Sequence, residues 1–355
     1  MEYNSFFNLQ VELNDICNLT CKHCYQIRAK AKEELDIDLV LSQLENLKKI
    51  TGYQKHIFRL SGGEATLRKD LFKVIRNIKS HGYYVEVMTN GMFLDLPYVY
   101  ALKSSGIDIC QVSMDGSSAE IHNYVRGQGA YEKSIKGIKN LVKVGIPVEI
   151  KLTLIKGINT DDIRNMFSLC TELDVKYISL ARFIFAGNGI QNFGRGNLIG
   201  NEVRDIFYKI AETGREFPQL NINVRDQLGR IVDIDIPKNV DMTKEPYMGV
   251  SYLAIDTYGN VYADRQLDII IGNIHQQTLS EIWTGSSKLQ DLRESKKYLR
   301  GKCIDCKIND ICLGGNKTAA YALTGSPFEP DPGCWINEPI NKIQLVDNFD
   351  KNMFQ

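Results

Sequence analysis

Nine cysteines stand in this chain, and seven of them fall into two groups. Cys17, Cys21 and Cys24 share one short loop, while Cys303, Cys306, Cys312 and Cys334 share the last part of the sequence. Clustered thiols in a reducing compartment are better explained as metal ligands than as disulfides, and an odd total fits a complete disulfide framework poorly. The first group supplies three thiolates on a loop short enough to wrap one face of a cube-shaped iron–sulfur cluster, leaving one iron without a protein sulfur. A tetrahedral zinc knuckle is the other use of such a loop. It draws a fourth Cys or His from a similar spacing, and His23 lies between two ligands, where its ring is poorly placed to close the site. The second group supplies four thiolates, which suit either a structural zinc ion or one 4Fe–4S centre with every iron filled; on spacing alone zinc ranks first. Cys110 and Cys170 stand apart and read as core residues, because free cysteine is among the most buried residue types.

Ligands on loops need a rigid frame, and the sequence between residues 6 and 185 predicts one. Short apolar runs alternate with amphipathic stretches, giving strands at Phe7–Leu13, His56–Leu60, Tyr84–Met88, Ile107–Ser113, Val148–Leu154 and Tyr177–Phe183, with helices such as Leu39–Ile50 and Asp161–Leu173 between them. This is an α/β pattern, a partial (β/α)6 barrel in which the loops leaving the C-terminal strand ends build the site. Polar and glycine-rich sequence follows those ends: Asn14–Cys24, Ser61-Gly62-Gly63-Glu64, Thr89-Asn90-Gly91 and Met114-Asp115-Gly116. The barrel is expected over 1–215, an irregular linker over 216–246, and a small C-terminal domain over 247–355 that opens with a hairpin around Gly259.

Bulk properties narrow the class. The 355 residues exceed one small core. Lys+Arg and Asp+Glu are balanced at 43 each, which leaves no net field for nucleic acid or an anionic membrane surface. No stretch approaches the roughly 20 apolar residues of a bilayer span, and Met1–Leu13 lacks the pattern of an export signal. A cytoplasmic protein with no nucleic-acid or membrane partner is expected.

With the loop and the strand ends in place, the sequence resembles the radical S-adenosylmethionine superfamily, whose signature C-x3-C-x-aromatic-C stands here as Cys17-Asn-Leu-Thr-Cys21-Lys-His23-Cys24. His23 fills the aromatic slot. Gly62-Gly63-Glu64, Thr89-Asn90-Gly91, Ser113-Met-Asp115-Gly116 and His122-Asn-Tyr-Val-Arg126-Gly127 follow in family order. The resemblance implies that the methionyl amine and carboxylate of S-adenosylmethionine chelate the open iron of a 4Fe–4S cluster. One electron then cleaves the cofactor to methionine and a 5′-deoxyadenosyl radical, which abstracts a substrate hydrogen. It places Gly62, Gly63, Glu64, Asn90, Ser113, Asp115, Arg126 and His23 around the cofactor. In that reading Gly62 and Gly63 admit a close backbone approach, Glu64 accepts a bond near the amine, and Ser113 and Arg126 meet the ribose and carboxylate.

The tail resembles the SPASM extension of peptide-modifying members of that superfamily, with departures. The segment before the hairpin, Glu245-Pro-Tyr-Met248-Gly249, has no cysteine, Asp264 stands where a hairpin cysteine would follow Gly259, and Asn316 ends the run that Cys303, Cys306 and Cys312 begin. These losses all belong to the family's inner auxiliary cluster, so the resemblance implies one auxiliary 4Fe–4S cluster, held by Cys303, Cys306, Cys312 and Cys334. Asp264 is a candidate catalytic residue that lines the vacated space and accepts a proton or binds substrate; a solvated turn residue is the alternative.

Three functions follow as expectations. The first is cross-linking or oxidation of a side chain in a ribosomally made peptide or protein. The second is radical oxidation, epimerisation or rearrangement of a small metabolite such as a sugar or aminocyclitol. An early first strand, which leaves no room for a leader-peptide-binding domain, and the single auxiliary cluster favour it. The third is iron–sulfur binding without radical chemistry. A flavodoxin or ferredoxin is the implied electron donor.

Overall fold

A computed structural model describes residues 6–26, 34–53, 55–194, 196–242 and 248–336. Its centre is a single eleven-stranded sheet in the order β11-β10-β9-β1-β2-β3-β4-β5-β6-β7-β8. The first six strands are β1 (Phe6–Glu12), β2 (Lys55–Ser61), β3 (Tyr84–Thr89), β4 (Ile109–Ser113), β5 (Val148–Leu154) and β6 (Tyr177–Arg182). All pair in parallel with their chain neighbours, and each lies within two residues of the span its apolar run predicts. Helices at Ile37–Thr51, Leu71–Ser80, Leu96–Ser105, Ala119–Arg126, Ala130–Val144 and Ile163–Glu172 fill the crossovers. Their ends carry the expected chemistry. The Asp36 carboxylate accepts the Asp38 and Leu39 N–H groups, and Gly52 closes the same helix at φ 73°.

Period-two alternation sorts each strand into two faces. Leu9, Val11, Phe58, Leu60, Val85, Val87, Cys110, Val112, Ile150 and Leu152 pack into the main apolar core. Gln10, Arg59, Met88, Gln111, Lys151 and Ala181, on the other face, line one cavity. That β1 and β6 share a cavity wall shows how far the sheet curls.

In the C-terminal half the structure adds pairings to the elements expected from the sequence. Residues 216–246, expected as a linker, contain β7 (Asn221–Val224) and β8 (Val240–Asp241), which extend the sheet beyond β6. The sequence Asn-Ile-Asn-Val is half polar and four residues long, too short a signal against its Pro-rich surroundings, yet Ile222 and Val224 are almost wholly buried. The Asn239 amide holds the segment by donating to the carbonyls of Gly214, Phe217 and Leu220. The hairpin, found as β9 (Tyr252–Ile255) and β10 (Asn260–Tyr262), does not stand apart either. β9 pairs in parallel with β1, Leu9 opposite Leu253, and β11 (Ile270–Asn273) closes the edge. An unpaired β1 would expose a row of backbone donors and acceptors, and the hairpin covers it. The boundary expected at Tyr247 and the chain after Ile336 lie outside the described residues.

Candidate active site

The loop Asn14–Tyr25 leaves β1 and is pinned from three sides. From β2, the N–H groups of Gly63 and Glu64 donate to the carbonyls of Asn14 and Ile16, each at 2.7 Å. From the helix Ala119–Arg126, the Val125 carbonyl accepts the Lys22 N–H at 2.9 Å. From the segment after β6, the Asn188 N–H reaches the Cys24 carbonyl at 2.9 Å. Across the opening the Asn90 amide donates to Asn18 Oδ1 at 2.9 Å. Held in this way, Cys17, Cys21 and Cys24 line a cavity of about 230 Å³ together with His23, Gly62, Gly63, Glu64, Asn90, Ser113 and Arg126. Burial pushes the Cys21 thiol up to about 11, against the pull of the Arg126 guanidinium.

Several of the expected residues also serve the protein's own packing. A Cβ on Gly62 would lie 2.5 Å from the Asn14 carbonyl oxygen, and one on Gly63 would strike the Ile16 carbonyl, so these glycines admit the cysteine loop itself. The Glu64 carboxylate gathers four protein donors: Oε1 accepts from Thr66 N (3.1 Å), Thr66 Oγ1 (2.6 Å) and Thr89 Oγ1 (2.6 Å), and Oε2 from Asn90 N (2.8 Å). Asp115 is fully buried behind the cavity wall. Its Oδ2 meets Arg126 Nε at 2.6 Å and His23 Nε2 at 3.2 Å, and its Oδ1 accepts the Thr153 N–H at 3.0 Å. Against the cost of burial, the Arg126 guanidinium holds the Asp115 carboxyl below the usual range. Burial lowers His23 to about 4, so its ring is neutral at physiological pH. Asp115 therefore orients Arg126 and His23 in place of facing the cavity.

A second lobe of about 210 Å³ continues from the first, sharing Gln10, Tyr25, Met88, Gln111, Lys151 and Arg182 with it. It ends against the hairpin at Tyr252, Asp264 and Arg265. Asp264 Oδ1 accepts the Gln266 N–H at 2.8 Å, and burial raises the Asp264 carboxyl above its ordinary value. The inward polar residues Gln10, Arg59, Gln111, Lys151, Arg182 and Arg225 stand outside the motifs that the sequence singles out. A polar residue at every second position of an otherwise aliphatic strand, as in Val148-Glu149-Ile150-Lys151-Leu152, was the available signal.

The other four thiols line one small cavity with Lys302, Asn309 and Gly314. Cys303 and Cys312 are buried, and burial followed by the mutual repulsion of the set raises Cys303 to about 11. Asn316, where a further cysteine would stand, caps the helix Lys317–Thr324 by accepting the Thr318 and Ala319 N–H groups. All nine cysteines are free. Among the described residues no three Cys, His, Asp or Glu side chains already stand about one point as ligands of a single ion. Sets of three and four thiols, each lining its own cavity, are the donor chemistry that iron–sulfur clusters use. No described helix is long and apolar enough to cross a membrane.

Comparison with known proteins agrees with this geometry. Residues 11–170 match the Radical SAM superfamily profile, and residues 247–307 match SPASM, an iron–sulfur cluster-binding domain. The AdoMet-dependent heme synthase of Methanosarcina barkeri is 29% identical over 337 residues, covering 91% of this chain and 94% of its own. The PqqA peptide cyclase of Gluconobacter oxydans is 26% identical over 353 residues, covering 96% and 94%. Streptococcus suis SuiB bound to its precursor peptide SuiA has the same fold, with a TM-score of 0.72 at 16% identity over 92% of this chain and 75% of that one.

Proposed function

We propose, from the premise that this chain is a radical S-adenosylmethionine enzyme with a SPASM iron–sulfur domain, that it modifies a side chain of a ribosomally made peptide or protein by cross-linking or oxidation. The enzyme uses S-adenosylmethionine and two 4Fe–4S clusters. In this reading Cys17, Cys21 and Cys24 hold the cluster that meets the cofactor, and Cys303, Cys306, Cys312 and Cys334 hold the other. When bound, these groups supply a 5′-deoxyadenosyl radical beside the first loop and an electron path at the second.

The chain's own residues then bind, orient and shield. Arg126, fixed by Asp115, presents its guanidinium to the cavity for a carboxylate. His23, Asn90 and Ser113 complete the wall around the cofactor, and the Gly62–Glu64 backbone forms its floor. Asp264, at the far lobe and with a raised carboxyl, takes the proton released as the substrate is oxidised. An external flavodoxin or ferredoxin in a cytoplasmic setting delivers the first electron.

The observation that carries the reading is the two-lobed cavity that runs from the three thiols to Asp264. Its walls are mixed, apolar surface set with the polar ends of Gln10, Arg59, Gln111, Lys151 and Arg182, which suits a peptide carrying both kinds of group, and full-length likeness to a peptide cyclase supports that substrate. Radical oxidation of a tetrapyrrole or another small metabolite is the second reading, favoured by likeness to the heme synthase.

Anaerobically reconstituted, reduced enzyme should release 5′-deoxyadenosine, and Cys17→Ala should abolish it. Incubation with peptides encoded beside the gene should change a peptide mass, and Asp264→Asn should slow that change by about a hundredfold while leaving cofactor cleavage. Peptides left untouched while a porphyrin substrate is consumed would replace the first reading by the second.

A further inference from the structure

Arg182 ends β6 and carries a guanidinium that is only 3% exposed. Its Nε meets Asp226 Oδ2 at 2.5 Å, while Nη1 and Nη2 meet the two oxygens of Asp331 at 3.1 and 2.6 Å. The same side chain lines both lobes of the cavity. Asp331 in turn organises the backbone next to two cysteines. Its Oδ1 accepts the Gly333 N–H and its Oδ2 the Asn316 N–H, both at 2.7 Å. The Asp331 carbonyl accepts the Cys334 N–H at 2.9 Å, and its own N–H reaches the Gly314 carbonyl at 3.1 Å. There is no slack in this joint: a Cβ on Gly333 would strike the guanidinium, and one on Gly315 would lie 2.5 Å from the Asp331 side chain.

We infer that Arg182 is a positioning residue that fastens the Asp331–Cys334 turn, and with it the second cluster, to the wall of the substrate cavity. The inference rests on the assignment of Cys312 and Cys334 to that cluster. A planar guanidinium satisfies two carboxylates in fixed directions, which a single ammonium cannot do. Removing it would leave two buried carboxylates without their cation, and the turn would move to solvate them. Hydrogen bonding and solvent access around cysteine sulfurs set the potential and retention of a cluster, so the effect is readable there.

The test uses the full chain with Cys17, Cys21 and Cys24 replaced by alanine, so that iron reports the second cluster alone. Arg182→Met should retain iron about tenfold less tightly and shift the electron paramagnetic resonance signal and reduction potential. Arg182→Lys should recover part of the iron and keep a shifted signal. Asp331→Asn, which preserves shape, should shift the signal in the same direction and serves where Arg182→Met yields no folded protein. Parent-like iron, signal and potential in these variants would overturn the inference. An intact signal in Cys334→Ala would overturn the ligand assignment and the inference with it. Failure of the chain with all cysteines to cleave S-adenosylmethionine would sink only the radical reading.

Discussion

Glu12, at the last position of β1, shows what burial does to one side chain facing the cavity region. Arg265 Nε lies 2.8 Å from its carboxylate, yet the loss of water outweighs that partner and raises the carboxyl from 4.5 to about 7. A raised carboxyl binds its proton more tightly in the folded chain than in the unfolded one. Its contribution to stability is therefore whole below pH 4.5 and lost as the pH rises through about 7. We expect a decline on the order of 1–3 kcal/mol across that window. Thermal unfolding as a function of pH checks this, and Glu12→Gln should flatten that part of the curve. An unchanged slope in the variant would mean that Glu12 titrates as it does in the unfolded chain.

At the scale of elements, the turn after β2 and the cysteine loop after β1 behave as one unit. Two backbone hydrogen bonds join them, and Gly63 sits where any side chain would strike the Ile16 carbonyl. The obstacle is backbone, so it yields only if the loop moves, and that loop carries Cys17 and Cys21. Gly63→Ala should cost about 1–3 kcal/mol of stability and release iron from the first cluster. Iron content and visible absorbance of the reconstituted protein measure the second effect. Gly285→Ala, at an open position with nothing within 4 Å, is the control and should change neither. Equal iron in both variants would show that the loop tolerates displacement.

At the scale of the molecule, the C-terminal hairpin belongs to the barrel's sheet. β9 covers the β1 edge, the Tyr252 hydroxyl donates to Gln10 Oε1 at 2.5 Å, and the Thr257 hydroxyl donates to the Asp15 carboxylate at 2.9 Å beside the cysteine loop. The hairpin thus closes the cavity and protects an edge with one pairing. A chain ended after Met242 should expose β1 and self-associate. Size-exclusion chromatography reads this, and a monomeric, equally stable truncated chain would refute the idea that the hairpin is an integral strand pair.

Local chemistry was legible in the sequence because its signals are local. The spacing of Cys17, Cys21 and Cys24, the apolar runs of β1 to β6, and the glycine and polar residues at their ends all act within a few positions of one another. Cys110 and Cys170 could be placed in the core for the same reason, and both are fully buried there. Only the tertiary structure decided what those residues face. Asp115 adjoins the cavity residues in sequence but spends its carboxylate on Arg126 and His23, and Gly62 and Gly63 make room for a neighbouring loop. The Asp331–Arg182 joint spans 149 positions and the β1–β9 pair more than 200, so neither leaves a periodic trace. Short range fixed the elements and the spacing of the thiols; long-range packing and desolvation decided which side chains meet the cavity and which hold the others in place.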